Sequence, residues 1–124
     1  MAHLMRRAGF GESREQLEER IVSGYEASVE ELLHPEKTQP VDLFELFRYQ
    51  PWAWKPGTVF GMGHASWTYT ALNTQAPLQE KMALFWHGIF ATGVSKVDHW
   101  DEVTDLIDTF RENGLGSFKD LLIK

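Results

Sequence analysis

The stretch from Pro77 to Thr92 constrains the fold more than any other part of the sequence. Proline suits the first position of a helix, where its missing N–H is no loss. Leu78, Met82, Phe85 and Ile89 then repeat at helical spacing, and Leu84, Trp86 and Phe90 widen the stripe around most of the circumference. A helix apolar on nearly every side is expected to be buried on nearly every side. The expected architecture is an all-α, irregular multi-helical bundle of short helical hairpins around a buried central helix over 77–92.

The flanking sequence agrees with this. His3 to Arg7 suffices for one or two helical turns and stops at Gly9-Phe10-Gly11. Ser13, with Gln16 three residues on, forms a capping box for a helix from Arg14 to Val22. Gly24 suits the left-handed residue that ends it. Tyr25 to Leu33 reads as the second arm of a hairpin, closed by His34-Pro35 because the residue before proline is pushed out of the helical region. Asp42 is placed to cap a short helix from Leu43 to Tyr49, and Trp67 to Asn73 reads as another. Asp98 opens a helix to Asn113 whose Trp100, Val103, Ile107 and Phe110 share one face. Ser117 starts a last helix from Phe118 to Ile123. Between them, residues of about 35–66 read as a long, irregular, aromatic-rich loop. No segment shows sustained period-two alternation, so no sheet is expected.

With 124 residues, 43% hydrophobic and 13% aromatic, the chain has enough for one core and one domain, 1–124. A net charge of -6, with twelve basic residues scattered among eighteen acidic ones, speaks against nucleic acid as a partner. The absence of cysteine removes disulfides and thiolate metal sites. The longest apolar run, Met82 to Val94, contains His87 and two glycines and is too short for a membrane span. No secretory leader is visible, so a cytoplasmic, soluble chain is expected.

Few side chains suggest chemistry. On the central helix Glu80, Ala83, His87 and Ala91 share a stripe, where the alanines leave a shallow groove beside the imidazole. The ordinary reading of His87 is a buried neutral ring hydrogen-bonded to backbone or carboxylate; the sharper one is a catalytic or metal-binding role, without a second ligand at Ala91. Glu80 is explained by the helix dipole, or by a buried ion pair with Arg6 or Arg111. His99 and Glu102, three apart among Asp98, Asp101 and Asp105, are metal-ligand candidates, but the matching Glu-x-x-His pairs on other helices are missing and a solvated acidic face is the ordinary reading. Gly61-Met62-Gly63-His64 lacks the elements of a phosphate loop and reads as a turn that delivers Trp67 to the core. Trp52 and Trp54 are the candidates for an exposed stacking platform. No nucleophile elbow is present, and no cofactor is indicated.

Three motifs carry a resemblance. His3-Leu4-Met5-Arg6-Arg7-Ala8-Gly9-Phe10-Gly11, Pro77-Leu78-Gln79-Glu80-Lys81-Met82-Ala83-Leu84-Phe85-Trp86-His87, and Phe110-Arg111-Glu112-Asn113-Gly114-Leu115-Gly116-Ser117-Phe118-Lys119-Asp120-Leu121-Leu122 occur in order across residues 3–122. The chain thereby resembles the bacterial family called domain of unknown function 1800 (DUF1800). Two of its motifs depart from the pattern: Gly88 and Ile89 replace the Asn and second His of Phe-Trp-His-Asn-His-Phe, and Leu106 stands where a Gln is usual. The resemblance implies an N-terminal portion of a longer domain, with the downstream part as its partner, and relatives that are often exported. It supplies no agreed activity. The expected role is therefore a helical structural or interaction portion. The alternatives are a remnant of a metal-dependent or hydrolytic enzyme using His87 with downstream residues, and a carbohydrate- or surface-binding module acting through Trp52 and Trp54.

Overall fold

The computed structural model describes residues 1–48, 62–93, 96–97 and 100–124. Among these every regular element is helical: α1 (Ala2–Ala8), α2 (Arg14–Ser23), α3 (Tyr25–Leu33), a 3-10 turn (Pro35–Lys37), α4 (Phe44–Phe47), α5 (Met62–Asn73), α6 (Pro77–Ile89), α7 (Trp100–Asn113) and α8 (Phe118–Leu121). The all-α expectation holds.

The local signals operate as their chemistry dictates. Ser13 Oγ accepts from Gln16 N at 3.3 Å, and Gln16 Oε1 accepts from Ser13 N at 2.8 Å, a complete capping box. Gly24 separates α2 from α3 at φ 95° and ψ 161°, so its φ is positive as expected. Its ψ is extended, however, and the chain turns directly into α3 in a conformation almost confined to glycine. Asp42 Oδ1 accepts from Phe44 N at 2.8 Å, but only one turn of helix follows. Ser117 Oγ accepts from Asp120 N at 3.1 Å and opens α8.

α6 organises the packing. It lies chiefly against α7 and also touches α1, α3 and α5. Toward its N-terminus, Leu78 joins a cluster of Met5, Ala8 and Leu32. Toward its C-terminus, Ala83 packs with Phe110 and Leu121, flanked by Trp67, Trp86, Phe90 and Leu106. One helix thus supplies side chains to both clusters.

Three expectations need correction. α6 ends at Ile89 rather than Thr92. Gly88 weakens the last turn, and the Thr92 hydroxyl donates to Phe90 O at 3.0 Å just beyond it. Nor is the helix covered all round. Ala83 is 0% and Glu80 1% exposed, whereas Phe85 is 53% and Ile89 54% exposed. The neighbouring helices meet the Glu80–Ala83 stripe and leave the opposite arc open. The expected turn at Gly63-His64 is instead the first turn of α5, which begins at Met62. Glycine's cost is the extra backbone entropy lost in a helix interior, so it is better tolerated in an opening turn. Tyr49 to Gly61, with Trp52 and Trp54, lie outside the described residues, as do Asp98 and His99.

Candidate functional site

The polar centre of the molecule is the Glu80 carboxylate in the first turn of α6. A charge buried so completely must be paired. Arg111, in the last turn of α7, supplies the pairing: its Nε donates to Glu80 Oε1 and its Nη2 donates to Oε2 at 3.2 Å. The planar guanidinium matches both carboxylate oxygens at once. Trp67 of α5 adds a third donor, Nε1 to Glu80 Oε2 at 3.2 Å. Of the two arginines considered for Glu80, the partner is therefore Arg111; Arg6 and Arg7 are exposed in the last turn of α1.

Arg111 also donates through Nη1 to Asp108 Oδ1. Burial by itself favours a neutral guanidine, but the hydrogen bond and charge of Glu80, reinforced by Asp108, outweigh it and raise the Arg111 pKa. Burial dominates at Asp108 and raises its pKa despite the opposing charge of Arg111; Glu112, Asp105 and Glu80 add repulsion in the same direction.

His87 lies two turns along α6 from Glu80. Its ring meets the edge of Trp67, with centroids 5.3 Å apart at 87°. Nδ1 is buried and has no hydrogen-bond partner among the described residues. The hydrogen bond to backbone or carboxylate expected of the imidazole is not made at Nδ1 among the described residues, and the ring packs against Trp67 instead. Gly88 and Ile89, which follow His87, are exposed. Glu102 is exposed on α7. Among the described residues no three His, Asp or Glu side chains form a metal-ligand cluster. No helix among them is long and apolar enough to cross a membrane.

The residues of the three motifs meet one another here. Lys81 Nζ donates to Gly9 O at 3.1 Å and stands 5.0 Å from the centroid of the Phe10 ring, joining the first motif to the second. Any Cβ at Gly9 would lie 2.9 Å from Pro77 Cβ, so only glycine lets α1 approach α6 this closely. Trp86 Nε1 donates to Gly114 O at 2.8 Å, and its ring stacks on Phe118 at 5.6 Å, joining the second motif to the third. Gly116 N donates to Asn113 O at 2.9 Å in the connection between α7 and α8. Leu106, at the position where Gln is usual, packs against the Ala83 cluster.

Sequence reasoning offered Arg6 and Arg111 as alternative partners of Glu80, beside the helix dipole, and missed Trp67 as the third partner. The available signal was an indole N–H bound for the core, which requires an acceptor there. The reach of Lys81 to a backbone carbonyl 72 residues away had no local signal.

No curated protein and no solved structure matches this chain. The family model described as protein of unknown function (DUF1800) matches residues 3–124, the span over which the three motifs interlock. The chain belongs to the DUF1800 family.

Proposed function

We propose that the chain acts as a helical structural and interaction portion of a larger DUF1800-type assembly, and that its partner is the downstream part of the family domain. One observation carries this reading: a ring-linked apolar face stands in solvent beside the interlocked motifs. Phe85 meets Trp86 edge-on at 5.1 Å, and Trp86 stacks on Phe118. Phe85 and Phe118 nevertheless remain 53% and 54% exposed, with Ile89 and Leu122 also in solvent. Contiguous exposed apolar surface of this kind marks interaction sites. The buried Glu80 carboxylate points the same way, because both its oxygens are held by Arg111 and Trp67 in a structural clamp.

The test uses the intact chain and an anilinonaphthalene sulfonate dye. Native protein is expected to enhance dye fluorescence, and Phe85→Glu with Ile89→Glu to abolish most of that signal at unchanged helicity. The downstream portion of a longer family member, added separately, should displace the dye from the parent and bind the double variant at least about tenfold more weakly. A native chain that leaves the dye dark, or equal binding to parent and variant, overturns the proposal.

A further inference from the structure

The chain has two asparagines, Asn73 and Asn113, and each is the last residue of a helix. Asn73 Nδ2 donates to Tyr69 O at 2.8 Å, and Asn113 Nδ2 donates to Thr109 O at 2.9 Å. The next amide is held alike in both places: Thr74 N donates to Thr70 O at 2.9 Å, and Gly114 N to Phe110 O at 2.8 Å. The two sites differ in the side chain that follows. Thr74 carries a branched one, which crowds its own amide, and Gly114 carries none. A Cβ at Gly114 would collide with Phe110 O and lie 2.9 Å from Trp86 Cδ1, so this packing leaves the amide after Asn113 unscreened. Gly114 also joins two motifs, because its carbonyl accepts from Trp86 Nε1 at 2.8 Å.

We propose that Asn113-Gly114 is a latent deamidation site, restrained by the last turn of α7, whose isoaspartate product releases α8. The Gly114 amide nitrogen, its proton lost to base, attacks Asn113 Cγ. The Cγ–Nδ2 bond breaks, ammonia leaves, and a five-membered succinimide remains. Water then opens either of its C–N bonds, giving aspartate or isoaspartate; the net change is one water gained and one ammonia lost. In the fold this attack requires Gly114 N to leave Phe110 O and Asn113 Nδ2 to leave Thr109 O, so the last turn of α7 must open first. Isoaspartate inserts a methylene into the main chain between the α7 backbone and Gly114. That shift takes Gly114 O away from Trp86 Nε1, and it turns Asn113 O, which accepts from Gly116 N at 2.9 Å, into a carboxylate oxygen at the negative end of a helix. The connection that seats Phe118 on Trp86 is thereby loosened.

The intact chain is incubated in mildly alkaline buffer, folded and in urea, and followed by peptide mapping and by isoaspartyl methyltransferase labelling. In urea Asn113 is expected to convert while Asn73 stays largely intact. Folding should slow conversion at Asn113 by at least about tenfold, the ratio set by the opening equilibrium. Trp86→Phe removes the indole donor to Gly114 O and should narrow that ratio at least about twofold. Hydrogen exchange of the Leu121 and Leu122 amides should be faster in purified isoaspartate protein than in Asn113→Asp, which carries the charge without the added methylene. Equal rates in the folded and urea-unfolded parent, conversion of Asn73 as fast as Asn113 in urea, or unchanged α8 exchange in the isoaspartate protein overturns the proposal. A folded Trp86→Phe variant with an undiminished ratio does so as well; if that variant does not fold, the comparisons on the parent chain decide.

Discussion

Glu80 and Arg111 show how one buried charge sets local requirements. Glu80 is 1% exposed, so loss of its partner leaves a carboxylate without water or counter-ion. Arg111→Ala is expected to destabilise the fold by about 3–5 kcal/mol in urea titrations. Arg111→Lys should recover little, because a point charge cannot engage Oε1 and Oε2 together. A loss below about 1 kcal/mol in both variants would contradict the clamp. Asp108 behaves differently. Its folded pKa is raised from 3.8, chiefly by burial, so the folded state holds this proton more tightly than the unfolded state. Its contribution to stability is therefore largest below 3.8 and falls as pH rises through the raised value. The stability of the parent relative to Asp108→Asn should decline over that rise, read from denaturant midpoints across pH; an increasing advantage would refute it. Glu36 runs the opposite way. Its own backbone hydrogen bond, then its hydrogen bond with His34, lowers its pKa from 4.5, so its contribution is lost as pH falls through the lowered value.

At the scale of elements, α2 and α6 differ in what holds them. α2 buries no residue, and its helical state rests on the Ser13–Gln16 box, surface pairs such as Arg14–Glu18, and its contact with α3. Ser13→Ala removes one side of the box and is expected to cost about 0.5–2 kcal/mol. That loss should appear first as faster hydrogen exchange in α2, with α6 amides unaffected until global unfolding. Equal acceleration in both helices would show that α2 does not open separately. The box was legible from four residues because the hydrogen bonds of a cap are local. The length of α4 was not, since Asp42 satisfies an amide without determining how many turns follow. Nor was the C-terminal limit of α6, where Gly88 and Thr92 act against a continuing apolar pattern.

For the whole molecule, α6 feeds two small clusters and leaves Leu84, Phe85 and Ile89 facing outward. Hydrophobic periodicity reports that a face is apolar and is silent on whether anything covers it. Substitution of Phe85 and Ile89 by Glu should therefore leave the unfolding free energy within about 0.5 kcal/mol per site while removing the exposed apolar arc.

The sequence by itself determined the helical class, the Ser13 box, the break at Gly24 and the family, because each depends on residues near one another or on motifs in linear order. It also narrowed the partner of Glu80 to two arginines. Only the tertiary structure chose Arg111, added Trp67, set Lys81 on the carbonyl of Gly9, left His87 Nδ1 without a hydrogen-bond partner among the described residues and exposed the outer arc of α6. Those outcomes depend on distances between segments far apart in the chain, which are set by how the helices pack and not by what any one of them contains.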